Sequence, residues 1–204
     1  MTITYPLALP TSPAIQRITI TARHMVGRTM SPFTGEQQIQ QFQGMWWEAD
    51  VQLPTMVRAD ADAWGALLQQ LFGGYGTFLL GDPAAATARG AVAGGPLVNG
   101  ASQTGNSLIT DGWTAATTIK MGDYIQIGTG TAQRLYRNLT DQTASGAGAM
   151  TLDIFPRLRE SPANNAVIRV SSWKGLLRLA SNEFRWDTDE ALLYGMSFSA
   201  VEAI

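Results

Sequence analysis

The chain has 204 residues, with 14 Lys and Arg against 16 Asp and Glu, a formal charge of −2, and only 15% charged residues. That balance argues against a phosphate-tracking surface, because nucleic-acid affinity rests on clustered Lys and Arg, so no specific nucleic-acid binding is expected. Cysteine is absent and there is one histidine, which removes disulfides, thiolate zinc sites and cysteine nucleophiles.

Soluble domains carry about 25% charged residues, so a chain this poor in charge is expected to hide much of its surface in an assembly. The alternative is a Gly/Ala-rich soluble monomer. The start, residues 1–13, is rich in proline and lacks a basic region followed by an apolar run, so no signal peptide is expected. No stretch reaches the roughly 20 apolar residues that span a bilayer, so the expectation is a soluble protein with no direct membrane binding.

In chain order, Pro6, Pro10 and Pro13 punctuate the first residues, and "AIQRITITA" then places Ile18, Ile20 and Ala22 on one face of a strand. "MSPFTGEQQIQQFQG" reads as a turn followed by an amide-rich strand through Ile39 and Phe42. "MWWEADVQLP" alternates: Trp47, Ala49, Val51 and Leu53 face one way, and Trp46, Glu48, Asp50 and Gln52 the other. The period then changes. In "RADADAWGALLQQLFGG", Trp64, Leu67, Leu68, Leu71 and Phe72 form one apolar helical stripe, which predicts a helix at about 60–72. Asp60 is its expected N-cap and Gly73 suits its C-terminal stop. "GTFLLGDP" reads as a strand ended by Gly81-Asp82-Pro83.

From Ala84 to about Gly105 the sequence is Gly/Ala-rich and nearly uncharged, as a linker or extended loop would be. A small β module follows, containing "NSLITDGW", "DYIQIGTGTAQRLYRNL" and "AMTLDIFPRLR". Its Gly128-Thr129-Gly130 could suggest a phosphate loop. However, a dinucleotide fingerprint needs a third glycine where Gln133 stands, and no Gly-Lys-Ser/Thr appears anywhere. The expectation is a hairpin, with Tyr124–Ile127 as one strand and residues 131–139 returning. Further strands are expected at 167–172, 176–179, 182–187 and 194–201.

That last segment is too short for a core of its own, so its strands should complete the sheet begun by the N-terminal part. This predicts a mainly β chain: a discontinuous β-sandwich of residues 1–89 and 162–204 with one α-helix, and an inserted barrel at 90–161. Two sequential domains are the alternative.

The chemistry searched for is not there. His24 stands alone, with no G-x-S-x-G elbow to serve. Asp187, Asp189 and Glu190 in "RWDTDEALLYG" could suggest a cation or glycosidase pair, but they fall between strands, where Asp and Thr shape turns. No catalytic residue, cofactor or metal is expected. Trp47, Trp64 and Trp186 lie on the apolar sides of their elements and are expected in cores. Trp46, stranded beside Glu48 and Asp50, is the expected subunit contact, with those two acids.

Taken together, the order of elements resembles the distal tail protein family of long-tailed phages with flexible, non-contractile tails. The resemblance spans nearly the whole chain. It rests on "WWEADVQLP" followed by the helix "ADADAWGALLQQLFGGYGTFLL", on "MGDYIQIGTGTAQRLYRNLTD" with "TLDIFPRLRES" as an inserted OB-like barrel, and on "RWDTDEALLYGMSFSAVEAI" as closing strands. The large C-terminal carbohydrate-binding domain of some members has no counterpart here, which leaves host-sugar binding without support. The resemblance implies a homo-hexameric ring in the virion, made in the host cytoplasm. It would join the tail tube protein to hub or tip proteins, beside the tape-measure end, and leave a channel for the genome. The alternatives are a glycan-binding module at the tail tip, or another minor tail or tube protein.

Overall fold

Two-residue alternation of apolar and polar side chains builds most of this molecule, in two large sheets with separate cores and one two-stranded sheet. The computed structural model describes residues 3–204. The chain starts with β1 (Leu7–Ala8), the long pair β2 (Arg17–Met30) and β3 (Gln37–Gln52), helix α1 (Arg58–Gln70) and β4 (Phe78–Leu80). It then runs through β5 (Gly94–Val98), β6 (Gly105–Trp113), β7 (Thr118–Ile119), β8 (Tyr124–Ile127), β9 (Arg134–Asn138), β10 (Gln142–Thr143), β11 (Met150–Leu158) and β12 (Ile168–Arg169). Finally β13 (Gly175–Leu179), β14 (Trp186–Thr188) and β15 (Tyr194–Glu202) return to the first sheet. The fold is mainly β: a β-sandwich with one α-helix among the described residues, joined to a nearly closed, barrel-like sheet.

The main sheet has the order β1-β4-β13-β15-β3-β2, with β14 pairing the free end of β15. Val51 of β3 therefore pairs with Phe198 of β15, which lies near the opposite end of the chain. The alternation in β3 buries Met45, Trp47, Ala49 and Val51 and turns Trp46, Glu48, Asp50 and Gln52 outward. Helix α1 lays Trp64, Leu68 and Leu71 on that buried face, where the Phe198 ring lies 6.4 Å from Trp64 and 5.9 Å from Phe78. Each such fully buried Leu or Phe contributes about 1.5–3 kcal/mol relative to exposure. The helix begins earlier than its acidic residues suggest. Val57, in extended conformation, precedes its first turn and accepts the amides of Asp60 and Ala61, so Asp60 is a first-turn acid and not the cap. Phe72 leaves the stripe and is exposed, because the chain turns left-handed there (φ 49°) and at Gly73 (φ 67°).

The second sheet has the order β12-β8-β9-β11-β6-β5, one strand more than the five of an OB barrel. It closes through the Val98 amide to the Ala166 carbonyl at 3.0 Å and the Asn165 amide to the Val98 carbonyl at 2.8 Å. Leu108, Ile119, Ile125, Leu152 and Ile154 fill it, all fully buried. The Gly-Thr-Gly stretch is the tip of the β8–β9 hairpin, in which Ile127 pairs with Arg134. Gly128 is needed there: its φ is 79°, and a Cβ would sit 2.6 Å from the Ala132 carbonyl.

Three expectations are corrected. The Gly/Ala-rich stretch is not all linker, because residues 94–98 form β5 and bury Val98. The strand expected at 167–172 does not complete the main sheet. Ile168 and Val170 alternate into the barrel core, and β12 pairs with β8. The strand expected at 182–187 is reduced to Trp186–Thr188 and is exposed.

Candidate assembly surface

The longest regular element is the β2–β3 hairpin, paired from Arg17 and Gln52 out to Met30 and Gln37. The two amide-rich and aromatic stretches of sequence merge into one 16-residue strand, β3. Only the near half of this hairpin belongs to the body of the molecule. Beyond His24 and Met45, residues 25–43 are exposed on both faces except for half-buried Gly27 and Ser31, forming an arm. At about 3.4 Å per residue, the stretch from His24 to Met30 projects about 20 Å, before the turn at its tip.

The arm carries apolar side chains that no other part of the chain covers. Phe33 at the tip is 95% exposed, and Met25, Val26, Met30, Ile39 and Phe42 are all exposed. The register puts Val26, Arg28, Met30 and Ile39 on one face, while Phe42 lies over Gly27 on the other. At the root the register shifts between His24 and Val26, and Gly44 leaves room for Met25, whose Sδ would lie 2.6 Å from a Cβ there. Exposed, flat, apolar strand edges are what proteins normally cover or charge.

Trp46, Glu48 and Asp50 stand on the outward face at the base of the arm. Trp46 is half-buried and donates through Nε1 to Glu48 Oε1 at 3.0 Å, while Arg23 Nε donates to Glu48 Oε2 at 2.8 Å. These bonds, Arg23 first and Trp46 second, hold the Glu48 carboxyl below the usual carboxylate range. The Ser199 hydroxyl donates to Asp50 at 2.5 Å. Glu48 and Asp50 are therefore each held by a cross-strand bond, and Trp46 bonds Glu48 along the same strand.

The inward face at the same level joins sheet to barrel. Trp47 packs edge-on to Phe155, with centroids 5.0 Å apart, and donates through Nε1 to the Leu135 carbonyl. Trp173 stacks on Tyr124 at 4.1 Å and donates to the Ala85 carbonyl at 2.8 Å. Arg159 reaches from the end of β11 to the carboxylate of Glu202 and to the Met45 carbonyl, and Glu202 also accepts the Trp47 amide at 3.0 Å. Burial beside this pair pushes the Tyr136 hydroxyl up to about 12. His24, exposed, rests its ring against Phe155 at 4.6 Å. The arm thus grows from a rigidly clamped root.

The tryptophans divide differently from the pattern of the sequence. Trp113 is a barrel-core residue bonded to Thr110, and Trp173 is buried at the junction; neither had an evident role in the sequence. Trp186, expected in a core, is 53% exposed, because β14 lies at the sheet margin and pairs only with the end of β15. Asp187, Asp189 and Glu190 are exposed in the β14–β15 hairpin, where Asp189 accepts the Leu193 amide at 2.9 Å, a turn-forming bond. Among the described residues no group of three His, Cys, Asp or Glu converges, and no helix is long and apolar enough to cross a membrane. Searches against protein-family models and curated proteins find no match.

Proposed function

We propose that this chain is a structural virion protein that forms a homo-hexameric ring at the distal end of a phage tail. The observation that carries this reading is the arm: a clamped, two-stranded projection with apolar side chains on both faces and no cover from its own chain. Such a surface is stable in water only at a cost that a partner removes, and a head-to-tail contact repeated between copies of one chain gives a ring when its rotation closes. The low charge of the chain supports extensive burial in an assembly. The resemblance in element order to distal tail proteins supplies the particular assembly. In it the ring joins the tail tube to hub or tip proteins, and its acidic, weakly charged wall lets the genome pass without holding it.

Trp46, Glu48 and Asp50, at the base of the arm, belong to the proposed subunit contact. Native mass spectrometry of the purified chain tests the reading. A mass six times the 21.9 kDa of the chain is expected. A monomer across the micromolar range would overturn it.

A further inference from the structure

We propose that the mouth of the barrel binds a small aliphatic carboxylate, an inference that does not depend on the ring. The site is a cavity of about 380 Å³ between the tip of the β8–β9 hairpin and residues 160–167, the segment that follows β11. Mouths of barrels and volumes of about 300–1,000 Å³ are where small molecules commonly bind. The walls are held by backbone bonds: the Gly128 amide donates to the Val167 carbonyl at 3.3 Å, and the Ala166 amide to the Ala163 carbonyl at 3.1 Å. Ile127, Ala132, Pro162, Ala163, Ala166 and Val167 give the cavity a mostly apolar lining, which favours a ligand with a hydrocarbon group.

Two polar side chains of β9 select the other end of the ligand. Arg134 and Tyr136 both line the cavity; standing two residues apart, they share one face of the strand, about 7 Å from one another along it. The Arg134 guanidinium uses Nη1 on the carbonyls of Thr131 at 3.0 Å and Gln133 at 2.9 Å. Its Nε is buried without a partner, and its Nη2 stands 3.7 Å from Glu160 Oε1, beyond hydrogen-bond reach. The edge left over, Nε with Nη2, is one that grips a carboxylate by two parallel bonds. Tyr136 is 3% exposed; burial acts first on its hydroxyl, then the charges of Arg159, Glu202, Arg134 and Glu160, with no hydrogen bond among the described residues. Arg159 and Glu202 satisfy one another, which leaves the phenol free to donate to a ligand. Glu160, 75% exposed, is well hydrated and competes only weakly for Arg134. Buried donors without partners are rare in folded proteins, and a set of donors beside an apolar wall matches a planar, singly charged acceptor on a hydrocarbon body.

Calorimetric titration of the whole chain with hexanoate, hexanamide and inorganic phosphate tests this. Hexanoate should bind with a dissociation constant of about 1 mM, ordinary for a ligand of its size. Hexanamide, which lacks the charge, and phosphate, which is costly to place against an apolar wall, should each bind at least about tenfold more weakly. Arg134→Gln should weaken hexanoate binding at least about tenfold and Tyr136→Phe about threefold to tenfold, with circular dichroism verifying the folds. Glu160→Gln should strengthen it by about twofold to fivefold, because the competing carboxylate is gone. Glu160 is exposed, so this variant decides the matter even where the Arg134 variant does not fold. No hexanoate binding at about 10 mM would overturn the proposal and leave the donors to water. So would hexanamide or phosphate binding as tightly as hexanoate, binding that folded Arg134 and Tyr136 variants keep, or an affinity that Glu160→Gln leaves unchanged or lowers.

Discussion

Trp47 donates its indole N–H to the backbone carbonyl of Leu135 at 3.1 Å, and this one bond crosses from the main sheet to the barrel. The same side chain sits on the face of β3 that carries Ala49 and Val51. It serves as the last residue of the sandwich face and the first of the junction with Phe155, Tyr124 and Leu135. Trp47→Ala should cost about 3–5 kcal/mol in denaturant melts. Trp47→Phe should cost less, about 1–3 kcal/mol, because an aromatic ring remains while part of the indole volume and the donor to the Leu135 carbonyl are lost.

The Arg159–Glu202 pair is nearly buried, with side chains 13% and 3% exposed. Removing one partner strands the other charge, so Glu202→Leu or Arg159→Met alone should destabilise by about 3–5 kcal/mol. The double variant should lose less than the sum of the two, which a double-mutant cycle on thermal or urea melts measures. A residual loss is expected even so, since Glu202 also accepts the Trp47 amide.

Tyr136 gives the molecule an alkaline limit. Its hydroxyl is raised from 10.0 to about 12, chiefly by burial, so the folded state favours the protonated phenol. The stability from this group is complete below pH 10 and declines as the pH rises from about 10 towards 12, where the unfolded chain ionises first. Tyr136→Phe should flatten this part of the stability curve, read from urea midpoints over alkaline pH.

Arg23→Ala should return the Glu48 carboxyl towards the usual carboxylate range, because the Arg23 hydrogen bond is the largest cause of its lowering. Side-chain NMR titration reads the change. The melting temperature should barely move, since exposed pairs contribute about 0–1 kcal/mol.

Ile39→Asp on the arm should leave the stability of the isolated chain within about 0.5 kcal/mol, since Ile39 is 64% exposed. Val51→Asp, on the same strand but 2% exposed, should prevent folding by burying an unpaired carboxylate. The contrast, measured by thermal melts, marks where β3 leaves the core.

Local pattern made several parts of this molecule legible in the sequence. β3 alternates over its inner half, so the split between Trp46 and Trp47 follows from the two-residue period alone. The Trp64, Leu68, Leu71 stripe revealed the helix, and two glycines with flanking alternation marked the Gly128 turn as a hairpin. These features depend on near neighbours.

What the sequence by itself determined about this protein is therefore its β-rich class, its single marked helix, and its lack of cysteine. Only the tertiary structure decided which sheet each strand joins and which aromatic side chains are covered. Val167–Ser172 looks the same whether it enters sandwich or barrel; closure onto β5 decides it. Trp186 alternates like a core residue, yet its strand sits at a sheet margin with nothing over it. The arm is the sharpest case. Ile39 reads as an ordinary strand residue, Met30 as the start of a turn, and Val26 lies past the strand read at 14–22; their exposure follows from β2 and β3 running past the last strand that could cover them. Periodicity sets which way a side chain points; whether anything lies in that direction depends on segments far away in the chain.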